Sequence, residues 1–291
     1  MLSGTSLRAI LPILLGIFLT SSCGEMNGIS NTEELNLVTS PVDMSLLTIT
    51  ETDIRFGGLV AGERSSHNQT CLSKFIKSRG VTTRLAARLG YSELRAYSVS
   101  KLGSNILMIA GGIVTAKNRT PKKVRNTWLY NTNLNSISDG PSLLKERAFH
   151  SACRLNDGSL LIAGGDDVLE VERYTLTAKK WSTAGKLCSP REVPGILQVG
   201  EADVLLVGGM SQDTESPYSE SALNSLEIFS LKERKGKIVG RMAVPRIAPD
   251  CVLIRKQHSV IIIGGSPLYA DSEDEQIDSA EKFSLPLPIL S

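Results

Sequence analysis

Four arginines recur at matching places in the chain: Arg95, Arg147, Arg191 and Arg246. Each opens an apolar, strand-like segment. A guanidinium presents a planar fork of donors, so several at one level could grip a carboxylate-bearing ligand. The same groups could equally brace the fold by binding carbonyls or glutamates such as Glu172. There are three histidines, His67, His150 and His258. His258 sits in a polar turn and reads as solvated. His150 lies three residues after Arg147 and reads as a buried structural residue rather than a base. No nucleophile–base pair and no paired carboxylates stand at telling positions, so no catalytic residue is assigned.

The cysteines are Cys23, Cys71, Cys153, Cys188 and Cys251. No CxxC pair occurs and no Cys/His group has metal-ligand spacing, so neither a metal nor a cofactor is expected. With Cys23 set aside, three full disulfide pairings are open in an exported chain. Cys153 and Cys251 lie in apolar segments, where burial as small hydrophobes is an equal alternative. Two segments carry blocks of charge. Lys117, Arg119, Lys122, Lys123 and Arg125 make one basic, and Asp271, Glu273, Asp274, Glu275 and Asp278 make another acidic. Such patches steer partners and set specificity. The acidic block lacks the EF-hand pattern and its glycine, so no Ca²⁺ site is expected.

Across 291 residues the formal charge is only +2, which gives no electrostatic support for a nucleic-acid partner. Residues 9–20 form an apolar run too short to span a bilayer, and they read as the core of a signal peptide. The run ends in Thr20-Ser21-Ser22-Cys23, which resembles the lipobox of bacterial lipoproteins, with Leu19 one place earlier than that family's leucine. The resemblance implies removal of residues 1–22 and lipidation of Cys23, including palmitate. It implies contact with the membrane through a lipid anchor alone. Gly24 supplies no inner-membrane retention aspartate, which points to the outer membrane or cell surface. In that setting the sequons Asn68-Gln69-Thr70 and Asn118-Arg119-Thr120 read as chance. Residues 23–40 are polar and read as a tether.

Beyond the tether a repeat emerges. Four apolar runs each end in two glycines: Gly111-Gly112, Gly164-Gly165, Gly208-Gly209 and Gly264-Gly265. The first glycines fall 53, 44 and 56 residues apart. A strand apolar at every position is buried on both faces. An aromatic follows each pair: Tyr130, Tyr174, Phe229 and Phe283. Three of these close a Glu-x-aromatic step, at Glu172, Glu227 and Glu281, where the first unit has Trp128-Leu129-Tyr130. The length differences collect between glycines and aromatic, as expected when each repeat varies in one loop.

The second unit runs from Arg147 and His150 through Asp157-Gly158, Gly164-Gly165, Glu172-x-Tyr174 and Trp181 to Pro190-Arg191. It resembles a kelch repeat. The resemblance covers residues 91–291 and implies an all-β, kelch-type β-propeller with four clear four-stranded blades and one or more divergent N-terminal blades. Ile137 and Ile238 are the candidates for the place of Trp181. A strand over Ser45–Thr50 is expected to complete the last blade. Residues 41–90 admit three readings: a divergent blade aligned on Arg64 and His67, a small β module around Gly57-Gly58, or a remnant left by loss of a blade.

The functional expectation is a lipid-anchored kelch-propeller binding protein, without catalysis, recognising an unidentified protein or glycan. Its binding loops would be 113–125, 166–169, 210–223 and 266–278, all leaving one face. The alternative is a carbohydrate-processing enzyme of the sialic acid mutarotase type, with the repeat arginines or His150 at a channel mouth. A copper-radical oxidase of the galactose oxidase type, which shares the fold, would need a His, Tyr and Cys constellation that this sequence does not reproduce.

Overall fold

The computed structural model describes residues 48–49, 54–56, 70–76, 81–89, 93–115, 120–131, 133–134, 136–212, 220–267 and 277–286. Among these the chain is all-β apart from a 3₁₀ turn at Arg255–Gln257. The first four strands are β1 (Thr48–Ile49), β2 (Ile54–Phe56), β3 (Thr70–Ile76) and β4 (Val81–Leu89), and they form an antiparallel sheet in chain order.

The next strands are β5 (Glu93–Arg95), β6 (Ser98–Lys101), β7 (Ile106–Ala110), β8 (Ile113–Thr115), β9 (Lys122–Lys123), β10 (Thr127–Asn131) and β11 (Ser136–Asp139). Strands β6, β7, β10 and β11 make one four-stranded antiparallel sheet, while β5, β8 and β9 form a small sheet of their own. The second unit is β12 (His150–Arg154), β13 (Leu160–Gly164), β14 (Glu170–Thr175) and β15 (Lys180–Lys186). The third runs β16 (Gly195–Gln198), β17 (Asp203–Val207), β18 (Met210–Gln212), β19 (Glu220–Ala222), β20 (Ser225–Ser230) and β21 (Lys235–Arg241). Here β16, β17, β20 and β21 form the main sheet, and β18 pairs with β19 in the variable loop. One pair, Lys186 with Lys235, joins the outer strands β15 and β21 and fuses the second and third sheets into one of eight strands. The last sheet has three strands, β22 (Asp250–Ile254), β23 (Ser259–Ile263) and β24 (Ala280–Ser284). This all-β architecture is compatible with a β-propeller.

Burial follows the strand period of two. In β7, Met108 and Ala110 pack with Leu160, Ile162, Tyr174 and Trp181 of the second unit, while Leu107 and Ile109 pack on the opposite side with Trp128 and Tyr130. In β13, Leu161 and Ala163 turn towards Val204, Leu206 and Phe229 of the third unit. In β17, Leu205 and Val207 turn towards Cys251, Val260 and Ile262 of the fourth. Each central strand therefore feeds two cores, which is why its sequence is apolar without alternation. Each fully buried side chain of this size contributes on the order of 1.5–3 kcal/mol.

A backbone feature gives the register between units. Ala96, Phe149, Val193 and Ala248 have φ of 54, 56, 46 and 51°, a left-handed conformation that costs L residues energy. They are linked in series: the N–H of Phe149 donates to the Ala96 carbonyl, that of Val193 to Phe149, and that of Ala248 to Val193, at 3.0, 2.7 and 3.0 Å. These bonds link the segments just ahead of β6, β12, β16 and β22. They also correct an expectation. Arg147, Arg191 and Arg246 each stand two residues before the left-handed residue, and in the first unit that place belongs to Leu94, not Arg95. Arg95 instead pairs with Ile113, as Glu192 bridges Met210 and Ile247 bridges Ser266.

Two further expectations are corrected. Tyr174 opposes Trp181 and Tyr130 opposes Ile137, as expected, but Phe229 opposes Gly236. Ile238 opposes Glu227 and is exposed, because the turn pairs Ser230 with Lys235 as it pairs Thr175 with Lys180, so the place of Trp181 falls on Gly236, two residues before Ile238. Nor does the expected N-terminal strand complete the last sheet. Thr48 and Ile49 pair with Arg55 and Ile54, since a short connection makes that local hairpin cheap to close.

Candidate functional site

The repeat arginines are held inside the protein. Arg147, Arg191 and Arg246 are fully buried, and each guanidinium meets a glutamate of its own unit: Glu172 at 2.8 Å, Glu227 at 2.9 Å and Glu281 at 3.0 Å. A second nitrogen of each donates to the carbonyl of the unit's first paired glycine, Gly164, Gly208 or Gly264, at 3.1, 2.8 and 2.8 Å. The carboxylates accept from backbone just ahead of the arginine. Leu144 and Lys145 donate to Glu172, Cys188 donates to Glu227, and Ala243 and Val244 donate to Glu281. Each clasp thus joins the entry segment, the second strand and the third strand of one sheet.

The electrostatics fit this geometry. Burial draws the Arg147 and Arg191 guanidinium groups below their usual value, while the adjacent glutamate pulls each back. Burial alone would raise the Glu281 carboxyl. The N–H of Ala243, the guanidinium of Arg246 and the N–H of Val244 outweigh it and hold the group below the ordinary range. A buried pair of this kind is retained only with such extra hydrogen bonds, because its desolvation is costly. These arginines are therefore already committed to partners.

In the first unit both charges are replaced. Leu94 takes the arginine position, and Trp128, which opposes Ile109 as Glu172 opposes Ile162, takes the glutamate position. Both are buried in one apolar cluster. The missing Glu-x step at Trp128 was visible in the sequence, but its compensation by Leu94 was not.

The paired glycines have a steric reason. A Cβ on Gly164 would stand 2.3 Å from the Arg191 carbonyl oxygen, and one on Gly208 would stand 2.3 Å from that of Arg246. The following glycine uses the same oxygen, Gly165 donating to Arg191 and Gly209 to Arg246. All eight glycines of the four pairs have positive φ. Trp181 is buried beside Tyr174, with ring centroids 5.4 Å apart, and its indole N–H donates to the Pro141 carbonyl of the preceding unit. Tyr130 and Phe229 are buried, and Phe283 is half-buried against the core.

His150 bridges units as well, its Nε2 lying 2.9 Å from the Ser98 hydroxyl. Burial and then the Arg147 charge lower its pKa to about 3, while a backbone contact at Ala110 works the other way. The unfolded chain therefore binds a proton near pH 6.5 that the folded chain refuses. Stability is lost as pH falls from about 6.5 towards 3. A His150→Asn variant is expected to show a flatter dependence of unfolding free energy on pH between 6.5 and 4.5. Urea titrations across that window check it, and an unchanged slope would contradict it.

The charged loop residues are only partly within view. Lys122, Lys123, Arg125 and Asp278 are exposed. Lys123 forms a 2.9 Å ion pair with Asp166, so the loops of the first and second units touch. Asp166 also accepts the N–H of Ala148, which anchors the short loop. Cys23, Lys117, Arg119, Asp271, Glu273, Asp274 and Glu275 lie outside the described residues. So do the side chains of His67, Cys71 and Arg95. Cys153 and Cys251 are buried within apolar clusters, and Cys188 is an exposed thiol. Among the described residues no three His, Cys, Asp or Glu side chains gather to hold a metal ion.

No protein-family model matches the chain, and no curated protein matches its sequence.

Proposed function

We propose that this chain is a kelch-type β-propeller of four-stranded blades, tethered by a lipid on Cys23 to a bacterial outer membrane or cell surface, and that it binds a protein or glycan through its variable loops. In this reading the sheets are the frame and the loops after each glycine pair are the working surface. The observation that carries it is the commitment of Arg147, Arg191 and Arg246 to buried clasps. Groups that a carboxylate-recognising enzyme would need at its mouth are occupied within the frame. The Lys123–Asp166 contact supports a continuous surface built from loops of neighbouring units.

The test has two arms. Intact cells expressing the chain are labelled with an alkynyl fatty acid; labelling is expected for the wild type and its loss for Cys23→Ser. Soluble protein is then screened on arrays of acidic and neutral glycans and of surface proteins. Binding should weaken at least tenfold in a Lys122→Glu, Lys123→Glu, Arg125→Glu variant that keeps the wild-type melting temperature. Binding indifferent to those changes, or turnover of an acidic sugar, would contradict the reading.

A further inference from the structure

The last sheet lacks what every earlier unit has. In the first three units the residue before the glycine pair, Ala110, Ala163 or Val207, is buried against the next unit, at 2, 0 and 0% exposure. Its equivalent Ile263 is 43% exposed. Two residues earlier, Met108, Leu161 and Leu205 are buried, whereas Ile261 is half-buried. The glycines agree. A Cβ at Gly111, Gly164 or Gly208 would meet the next unit's arginine carbonyl at 2.3–2.7 Å, but one at Gly264 would meet nothing closer than 3.6 Å among the described residues. Gly264 nevertheless keeps the same left-handed φ of 63°. Asp250 stands where Ser98 and Ser151 stand, and both of those hydroxyls reach the following unit. The face is thus built to receive a neighbour.

A sheet remains to fill that place. Strands β1–β4 form a four-stranded antiparallel meander in chain order, as the main sheets of the first three units do. Gly57-Gly58 follow its second strand directly and precede Gly111 by 54 residues, within the spacing of the repeat. Its outer strand β4 lies against β11 of the first unit, outer strand to outer strand, as β15 meets β21. The order is then five sheets in series, with β1–β4 at one end of the row and β22–β24 at the other. Closing a ring removes such ends.

Building on the propeller reading, we infer that the bare face of β22–β24, around Ile261, Ile263 and Gly264, is covered by the N-terminal sheet of the same chain, completing a five-bladed ring by face packing and without a shared strand.

The test compares two sites of similar exposure in this structure, Ile263 and Ile238 at 43 and 40%. Each is changed to cysteine in the full chain carrying Cys23→Ser and Cys188→Ser, and labelling by iodoacetamide is corrected for the parent. Ring closure predicts labelling at 263 at least tenfold slower than at 238, independent of concentration, in a protein that scatters light as a monomer. Equal rates would overturn it. Slow labelling that speeds up on dilution of a dimer would also overturn it, placing a second copy on the face. Gly264→Ala gives a second measure. Closure predicts a fall in Tm as large as that of Gly208→Ala, and a markedly smaller fall contradicts closure. Hydrogen exchange in β13 and β17 separates the two readings. Fast exchange there sinks the propeller itself, while slow exchange with a reactive 263 sinks only the closure.

Discussion

Replacing Glu227 by alanine is expected to remove about 3–5 kcal/mol of stability, because it strands the Arg191 guanidinium in a fully buried position. It also leaves the Cys188 N–H without the carboxylate it donates to. For a chain of this size the melting temperature should fall by roughly 6–20 °C. The more telling variant copies the first unit into the third. Arg191→Leu with Glu227→Trp reproduces the Leu94 and Trp128 arrangement, which already folds within this protein. The double variant should be less destabilised than Glu227→Ala alone, since no buried charge is left unpaired. Thermal and urea unfolding of both measure this. A double variant that loses as much as the two single changes combined would show that the clasp is required for more than filling and neutralising its place.

Gly208→Ala is the second large effect. The methyl group would stand 2.3 Å from the Arg246 carbonyl and 3.1 Å from that of Leu223, on a backbone at φ 56°. Strain of the left-handed conformation and overpacking together should cost about 2–5 kcal/mol. Gly103→Ala, with nothing among the described residues within 4 Å of the new atom, is the control and should change stability little. Equal effects of the two substitutions would remove the steric account of the paired glycines.

The parts of the fold most legible in the sequence were those repeated with the same residue types. Gly-Gly after an apolar run marked the ends of the second strands, and Glu-x-aromatic marked the third, because each type answers a fixed demand of backbone or burial. Register was less legible. Arg95 looked like the first repeat arginine by type, yet the left-handed residue Ala96 puts Leu94 in that place. Alanine, phenylalanine and valine share that conformation, and no residue type announced it. Ile238 looked like the counterpart of Trp181 by apolarity, but the turn that pairs Ser230 with Lys235, as Thr175 pairs with Lys180, puts Gly236 opposite Phe229. The place is set by counting from the turn, and a glycine there carries no apolar signal to mark it. The basic loop was legible as charge, but not the ion pair that ties Lys123 to a neighbouring loop, because that contact is made between units.

The most direct test of the central claim is a crystal structure of residues 24–291 soaked with N-acetylneuraminic acid and related acidic sugars. The account predicts Arg147, Arg191 and Arg246 seated on Glu172, Glu227 and Glu281, with no sugar density at any of them. A sugar carboxylate gripped by two or more of those arginines would contradict it and make the frame itself the active surface.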